Sequence, residues 1–313
     1  MDFAIEAHGI TKRYRNQNGH VALADLNLTV PVGEMFALVG PDGAGKTTAL
    51  RILSTVMSQT AGEAFVAGHD VRRAAETARR QIGYMPQNFS LYPDLSVLEN
   101  LHFFADVQGV SAGRREKRIP EMLAFTRLTA FQSRRSMNLS GGMKKKLALA
   151  CALIHEPKVL LLDEPSTGVD PVSRRELWQI LSRVAQEGVT ILVTTPYMDE
   201  AERCARVGLL SRGRLLTAGT PQELIDTVPY DIIEVKVNSR KAIRDIVMET
   251  EGIRSWRPVG DRLRLAVPEA DTVMEVLGRR IQEEGLTVKV LRRTRPGMED
   301  VFVRMAEMQE EEA

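Results

Sequence analysis

One glycine-rich segment combines residue types and a spacing that could hold phosphate groups. It reads Gly40, Pro41, Asp42, Gly43, Ala44, Gly45, Lys46, Thr47 and Thr48, and its first eight residues fit the pattern G-x-x-x-x-G-K-[ST]. Glycines in such a segment let backbone N–H groups converge on phosphate oxygens, and the helix that follows presents its positive N-terminus. The lysine then reaches the β- and γ-phosphates, and the hydroxyl of Thr47 ligates Mg²⁺. The alternative is a glycine-rich turn with an incidental lysine, but the segment lies between an apolar strand and a helical pattern, as phosphate binding requires.

Two adjacent carboxylates, Asp163 and Glu164, follow the apolar segment Val159–Leu162. At the end of a buried strand, the first carboxylate would lie beside the metal ion, and the second could polarise an attacking water molecule. Taken alone, the pattern is equally typical of a catalytic pair and of an ordinary strand end followed by a polar turn. Because a phosphate-binding segment precedes it by roughly 115 residues, we interpret the pair as part of a nucleotide-hydrolysing site.

Strands and helices alternate along the part of the chain that would position these residues. Continuous or alternating apolar segments predict strands, and amphipathic segments predict helices. The predicted strands are 3–7, 22–30, 35–39, 159–162 and 190–193, and the predicted helices are 47–56, 173–187 and much of 96–155, with interruptions at Gly109, Gly113 and Gly141-Gly142. Such alternation with continuously apolar strands indicates an α/β fold, in which a parallel sheet carries helices on both faces.

A change of composition near Pro229 indicates a second domain. A capping pattern at Thr220–Glu223 predicts the start of a helix. Beyond Pro229 we predict strands at 232–237, 262–267 and 286–291 and helices at 241–250 and 271–284. We therefore expect two domains, residues 1–228 and a small α+β domain of residues 229–313.

The composition excludes several classes of protein. The 313 residues are 43% hydrophobic and 27% charged, as in a globular chain. With 42 Lys and Arg against 41 Asp and Glu, the net charge of +1 gives no indication of a nucleic-acid partner. No apolar run approaches the ~18 residues of a membrane helix, no secretory signal begins the sequence, and Cys151 and Cys204 show no motif spacing. We expect a cytoplasmic protein without a membrane span of its own.

Four further motifs resemble those of the ATP-binding-cassette (ABC) ATPases. Leu139–Met143 resembles the family's signature, Gln87 its Q-loop, Gly168–Asp170 its D-loop, and Tyr14 its adenine-stacking aromatic residue. The resemblance covers about residues 1–225. The phosphate and signature segments are more narrowly similar to the drug-exporter branch, the daunorubicin-resistance and YbhF-type ATPases, and Met298–Phe302 is similar to the element that closes the C-terminal domain in that branch.

The resemblance implies a fold and a set of site residues. The implied fold is a P-loop NTPase cassette with a mostly parallel core sheet, an antiparallel β subdomain, a helical subdomain and a small C-terminal α+β domain. In the family, two cassettes enclose two ATP molecules head to tail, so that the signature of one chain faces the phosphate-binding segment of the other. The implied ATP contacts are Tyr14, residues 40–48, Gln87, Ser140, Gly141, Gly142, Asp163 and Asp170, with Thr47, Gln87 and Asp163 as Mg²⁺ ligands and Glu164 as the catalytic base.

The resemblance also implies two partners, a second cassette that is identical or different, and a separate transmembrane permease at the cytoplasmic face of the membrane. The segment Asn88–Asn100 contains the apolar residues Phe89, Leu91 and Tyr92 among turn-forming residues. We expect this segment to dock the permease, and packing within the helical subdomain is the alternative.

Three residues depart from the family pattern. Met143 replaces a common glutamine, Asp42 adds a carboxylate that we expect to point away from the phosphates, and Pro196 occupies the position of the switch histidine. Proline has no side-chain donor or acceptor, so the γ-phosphate contact of that histidine is missing. Of the three consecutive lysines 144–146, we expect at least two to lie on a solvated helix face.

Three functions agree with these residues to different degrees. The first is the ATPase subunit of an exporter of drugs or other hydrophobic compounds. The second is a soluble ABC ATPase without a transporter, which the single cassette and the lack of sustained heptads disfavour. The third is a regulatory cassette that binds ATP and scarcely hydrolyses it, which Pro196 keeps open.

Overall fold

The computed structural model describes residues 2–14, 19–88 and 91–311, with side chains up to residue 308. The chain divides into two compact units, Met1–Pro221 and Gln222–Ala313. This division falls seven residues before the expected boundary after residue 228, and the short helix Pro221–Asp226 lies between the two positions.

The strands of the first unit form two sheets. Within the described residues they are β1 (Phe3–Arg13), β2 (Val21–Pro31), β3 (Met35–Val39), β4 (Ala61–Val66), β5 (His69–Asp70), β6 (Ile82–Met85), β7 (Val159–Asp163), β8 (Thr190–Thr195), β9 (Arg206–Ser211) and β10 (Arg214–Gly219). The six-stranded sheet has the order β10-β9-β3-β8-β7-β6, and its neighbours are parallel except for β10, which is antiparallel to β9. Every residue of β3, β7 and β8 is buried, as continuous apolar runs predict for strands covered on both faces. The expected parallel sheet is confirmed.

The register of this sheet brings the predicted site segments to one edge. Val39, the last residue of β3, pairs with Thr195 of β8, and Asp163, the last residue of β7, pairs with Thr194. Because β8 lies between β3 and β7, the segments that follow Val39 and Asp163 leave the sheet side by side.

The second sheet of this unit is antiparallel, with the order β2-β1-β4-β5. Its first two strands extend beyond the predicted segments 3–7 and 22–30, because both continue through several register shifts that keep them paired up to Arg13 and Val21. Alternate residues of β2 are buried, as in a strand with one face on the core.

The helices of the first unit are α1 (Lys46–Leu53), α2 (Ala75–Arg80), α3 (Val97–Val107), α4 (Ala112–Phe125), α5 (Gly141–Leu153), α6 (Pro171–Gln186) and α7 (Met198–Ala201), followed by α8 (Pro221–Asp226) at the division between units. The expected interruption at Gly109 is confirmed. The one at Gly113 is wrong, because this glycine lies in the first turn of α4, where backbone N–H groups have no intrahelical acceptor to lose. Gly141 and Gly142 begin α5 after the N-cap Ser140.

The second unit is a four-stranded antiparallel sheet with helices. Its strands are β11 (Asp231–Val237), β12 (Ser255–Val259), β13 (Arg262–Val267) and β14 (Val288–Thr294), in the order β12-β13-β11-β14, and its helices are α9 (Arg240–Met248), α10 (Ala270–Glu283) and α11 (Met298–Glu311). Buried side chains of β11, β13, α9 and α10 form its core. The sequence did not predict β12 or α11. Strand β12 contains a proline and an arginine among its five residues, and its apolar and polar residues do not alternate cleanly. These features hide its strand pattern.

Candidate nucleotide-binding site

The glycine-rich segment forms the connection between β3 and α1. Gly45 precedes the helix with φ of 109°, and a Cβ there would lie 2.5 Å from the carbonyl oxygen of Ala22. Both the left-handed backbone and this close approach require glycine. The backbone therefore turns tightly into α1 and directs the first N–H groups of the helix toward the space in front of the segment.

Lys46 is the buried cation of the site, with 4% of its surface exposed. Its Nζ donates to the carbonyl oxygens of Gly40 and Pro41, at 2.7 and 3.1 Å, and lies 3.5 Å from Oε1 of Glu164. A buried ammonium of this kind is stable only when it is paired and hydrogen-bonded. The lysine is therefore held by its own segment and by the carboxylate that follows β7.

Two oxygen donors that suit a divalent cation lie in contact. Thr47 Oγ1 is 3.1 Å from Oδ1 of Asp163, and the buried Thr194 donates its hydroxyl to the same oxygen at 2.7 Å. Hydroxyl and carboxylate oxygens are the ligands that Mg²⁺ prefers in proteins. Thr47 and Asp163 come from different elements 116 residues apart and fit this ion by the chemistry of their donor atoms.

Glu164 is buried at 6% exposure and has a left-handed backbone, with φ of 46°. Its Oε2 accepts hydrogen bonds from Nε2 of Gln87 at 2.9 Å and from the hydroxyl of Thr167 at 3.2 Å. Its backbone N–H donates to the hydroxyl of Thr194 at 3.0 Å. The strained turn is stabilised by these contacts, which direct the carboxylate toward Gln87 and Lys46.

A cleft of about 580 Å³ connects these groups. The predicted residues that line it are Tyr14, Asp42, Gly43, Ala44, Gly45, Lys46, Thr47, Thr48, Gln87 and Glu164. Tyr14 Oη lies 3.4 Å from both Thr48 Oγ1 and the Met57 sulfur. Asp42 is exposed. The predicted residues Gly40, Pro41 and Asp163 do not line this cavity. They contact residues that do, since Lys46 donates to the carbonyl oxygens of Gly40 and Pro41 and Thr47 contacts Asp163.

Sequence reasoning missed three residues that line this cleft, His20, Ala22 and Arg51. Arg51 lies on α1 after the segment pattern has ended, and its spacing of four residues from Thr47 and three from Thr48 was the available signal. His20 lies just before β2, and its carbonyl accepts the N–H of Tyr14 at 2.9 Å. No sequence pattern marked His20, because that contact depends on how β1 and β2 pair.

The signature residues lie at the start of α5 and do not line the cleft. Ser140 caps this helix by accepting the N–H of Met143 at 3.3 Å. Gly142 packs against α6 so closely that a Cβ would meet Ser173 Oγ at 2.3 Å. The predicted solvated face of lysines 144–146 is wrong. Lys144 is exposed, but Lys145 is half-buried and Lys146 is buried in an ion pair with Glu176.

Asp170 caps α6 and also lies outside the cleft lining. Its carboxylate accepts the backbone N–H groups of Val172 and Ser173, at 3.1 and 3.0 Å. Hydrogen bonds from the side chain and backbone of Ser173 lower the pKa of this carboxyl, because they stabilise its ionised form.

The loop that contains Pro196 is held by a buried carboxylate that the sequence did not reveal. Glu200 is fully buried, and its oxygens accept from Ser166 Oγ at 2.6 Å, Arg174 Nε at 2.5 Å and Thr195 Oγ1 at 2.6 Å. The Arg174 guanidinium also lies 4.7 Å from the ring centroid of Tyr197. Within the described residues that line the cleft, none comes from residues 195–200.

Comparisons with known proteins agree with this geometry. The family model described as ABC transporter matches residues 23–167. The chain is 36% identical to the daunorubicin resistance ATP-binding protein DrrA2 of Streptomyces coeruleorubidus over 97% of its length and 95% of the relative. The chain belongs to the ABC transporter ATP-binding family, and the resemblance and fold class inferred from the sequence are confirmed.

Other relatives show the range of the similarity. The chain is 38% identical to a Nod factor export ATP-binding protein I of Paraburkholderia xenovorans, covering 98% of this chain and 99% of the relative. It is 47% identical to the probable multidrug ABC transporter ATP-binding protein YbhF of Escherichia coli, over 72% of this chain but only 39% of that relative's length.

Solved structures match the cassette part of the chain. An ATP-binding subunit of an ABC transporter superposes with a TM-score of 0.65 at 32% identity, covering 71% of this chain and 92% of that structure. A dimeric ATP-binding cassette in a post-hydrolysis state, bound to ADP and phosphate, gives 0.64 at 28% identity over 69% and 98%. Across the described ranges, no helix combines the length and apolar character that crossing a bilayer would need.

Proposed function

We propose that the chain is the ATP-hydrolysing subunit of an exporter that moves drugs or other hydrophobic compounds through a separate permease. The observation that carries this proposal is the cluster of Lys46, Thr47, Gln87 and Glu164 in one cleft, with Asp163 in contact with Thr47. These are the groups that phosphoryl transfer from a nucleotide to water needs. The functions named for the relatives, drug resistance and Nod factor export, support an exporter.

In this proposal the cleft binds ATP along its length. Tyr14 stacks on the adenine, the N–H groups of residues 42–48 hold the phosphates, and Lys46 exchanges its carbonyl partners for the γ-phosphate. Thr47 and Asp163 hold Mg²⁺ together with the side-chain oxygen of Gln87. When bound, this ion neutralises charge that develops on the phosphates during transfer.

Glu164 then acts as the base that polarises the attacking water. Its carboxylate oxygens now contact Lys46 and Gln87, so both contacts have to loosen before a water molecule can take their place.

A second cassette completes the site in this proposal. Ser140, Gly141 and Gly142 would act on the γ-phosphate bound by the partner, with Asp170 at the same interface. The exposed N-terminus of α5, capped by Ser140, is the feature that supports this, since a helix N-terminus favours an anion. The dimeric cassette among the similar structures supports the same arrangement.

We place the permease contact at a groove of about 500 Å³ beside the cleft, on the cytoplasmic face of the membrane. Leu91, Pro93 and Met137 give the groove apolar walls, and Lys144 and Lys145 add positive charge. Tyr92, 45% exposed, lies next to it in the chain. Phe89, the other apolar residue expected to dock the permease, lies outside the described residues.

A second candidate, a cassette that binds ATP and hydrolyses it slowly, is favoured by one observation. Pro196 carries no donor, and the neighbouring hydroxyl of Thr195 is bonded to Glu200. Both candidates share ATP binding and differ in turnover.

The test uses cells that express the chain with its permease and are loaded with a hydrophobic fluorescent dye. Glu164→Gln should abolish energy-dependent efflux, whereas Glu63→Gln, a matched change of an exposed carboxylate, should leave it unchanged. Continued efflux with Glu164→Gln would contradict the proposal. Retention of the dye by cells that express the wild-type chain with its permease, although the purified chain hydrolyses ATP, would contradict export of hydrophobic compounds.

A further inference from the structure

A half-buried lysine of α5 contacts the segment that contains Gln87. Nζ of Lys145 donates to the backbone carbonyl oxygen of Gln87 at 3.0 Å. Burial lowers the pKa of this lysine, and the nearby carboxylates of Asp163 and Glu164 oppose that shift. The ammonium therefore lies within the field of the hydrolytic carboxylates, although it belongs to the signature helix.

The contact is one step in a continuous series. Lys145 donates to the backbone of Gln87, the side chain of Gln87 donates to Glu164 at 2.9 Å, and Glu164 lies 3.5 Å from Lys46. Four residues thus connect α5 to the phosphate-binding segment through hydrogen bonds and an ion pair. The two other lysines of the run take no part, since Lys144 is exposed and Lys146 pairs with Glu176.

We propose that Lys145 is a positioning residue that couples two parts of one chain. When ATP binds at the phosphate-binding segment of that chain, Lys145 transmits the change to the turn at Ser140 of the same chain, and this turn contacts the ATP bound by the partner chain. This inference rests on the head-to-tail pairing of the proposed function. It assigns Lys145 a part in coupling between the two ATP sites, a coupling that needs an element with two arrangements to which both sites are linked.

The physical reason lies in what ATP has to displace. The γ-phosphate competes with Glu164 for Lys46. When Lys46 turns to the phosphate, the carboxylate of Glu164 loses this partner and shifts, and the amide of Gln87, which donates to that carboxylate through Nε2, shifts with it. The backbone carbonyl of Gln87 is bonded to Lys145. Because α5 is one continuous helix from Gly141 to Leu153, a shift at Lys145 moves the Ser140 end. The tight contact between Gly142 and Ser173 makes α6 the support against which that end moves.

The first experiment measures transmission within one chain. Hydrogen exchange of the segment 138–147 is compared with and without Mg-ATP, at a protein concentration too low for dimers. We expect Mg-ATP to change exchange of the Met143 and Lys144 amides in the wild type. Lys145→Met should reduce that change at least fivefold, and Lys145→Arg, which keeps a donor, should largely restore it. Lys117→Met removes an exposed charge from α4 and is the matched control. Binding of a fluorescent ATP analogue should stay within about twofold in all variants.

The outcomes that overturn the inference are definite. An undiminished exchange response in Lys145→Met would show that the lysine transmits nothing. Loss of ATP binding in that variant would place Lys145 in the cleft itself instead. A wild type whose segment 138–147 does not respond to Mg-ATP would remove the transmission altogether.

The second experiment measures the consequence between chains. The Mg-ATP concentration that half-dimerises the protein, followed by light scattering, should rise about 5- to 20-fold in Lys145→Met, in the range of ordinary coupling between sites. An unchanged midpoint overturns the inference. If the wild type forms no ATP-dependent dimer, the proposed head-to-tail pairing fails, and Lys145 loses its assigned part even when the exchange experiment shows transmission.

Discussion

The carboxylate of Glu164 lies 3.5 Å from the ammonium of Lys46, with both side chains almost completely buried. The residue expected to activate water is therefore paired with the residue expected to hold the γ-phosphate. Gln87 donates to the other oxygen of the same carboxylate. The γ-phosphate and Glu164 therefore compete for one cation.

Lys46→Ala should abolish tight ATP binding. The affinity for ATP should fall about 100-fold or more, because a buried charged contact to the γ-phosphate is lost. The fold should survive, since Glu164 keeps the hydrogen bonds from Gln87 and Thr167. Equilibrium dialysis measures the affinity and circular dichroism the fold. Lys117→Ala, an exposed lysine of α4, is the control. Wild-type affinity in Lys46→Ala would refute the phosphate-binding assignment.

Glu164→Gln should bind ATP, nearly stop hydrolysis, and accumulate a dimer that encloses nucleotide. The amide is nearly isosteric, and its oxygen can still accept from Gln87 or Thr167, but it cannot act as a base. Light scattering under saturating Mg-ATP detects the dimer. A monomer under these conditions, or turnover at the wild-type rate, would contradict the assignment of Glu164 as the base.

The purified wild-type chain should bind ATP normally and hydrolyse it slowly. Pro196 supplies no contact to the γ-phosphate, and loss of one preorganised donor typically lowers the rate by about 10²–10³-fold. The bond from Thr195 to Glu200 and the stacking of Tyr197 beside Arg174 keep both neighbours away from the cleft lining. A phosphate-release assay measures turnover. Pro196→His should raise it where the backbone permits, and fast turnover by the wild-type chain alone would refute the prediction.

Glu200→Gln should destabilise the first unit by about 2–4 kcal/mol, because it removes a fully buried charge that is paired with Arg174. Asp199→Asn is the matched control. Asp199 pairs with the same arginine but is 65% exposed, so its loss should cost less than about 1 kcal/mol. Urea unfolding gives both values. Equal effects of the two changes would show that burial does not decide the strength of this network.

The ion pair between Lys146 and Glu176 should make the free energy of unfolding depend on pH in the acidic range. The hydrogen bond and charge of Lys146, together with the charge of Arg127, lower the pKa of Glu176 below its ordinary value of 4.5. A carboxyl with a lowered pKa stabilises the folded state above the ordinary pKa and loses that contribution as pH falls through the folded value. The stability advantage of wild type over Glu176→Gln should thus be constant above about pH 5.5 and shrink below it. Urea unfolding between pH 3.5 and 7 tests this, and a pH-independent difference would contradict it.

The sequence by itself determined the local parts of the site. The run of glycines before Lys46, the apolar strands β3 and β7, and the carboxylates after β7 follow from backbone freedom and from apolar patterning within a few residues. The same patterning predicted the parallel sheet, and a parallel sheet already requires that segments after its strands meet at one edge.

Only the tertiary structure decided which of these residues touch. The hydrogen bond between Gln87 and Glu164 joins positions 77 residues apart, and it depends on the order of β6, β7 and β8 in the sheet. The burial of Lys145 and Lys146 depends on which side of α5 packs toward Gln87 and α6, which three consecutive lysines do not reveal. His20 lines the cleft because β1 and β2 are paired, and Thr195 is bonded to Glu200 because α7 folds back on β8. Contacts between elements remote in sequence are set by packing of the whole unit, and no local pattern encodes them.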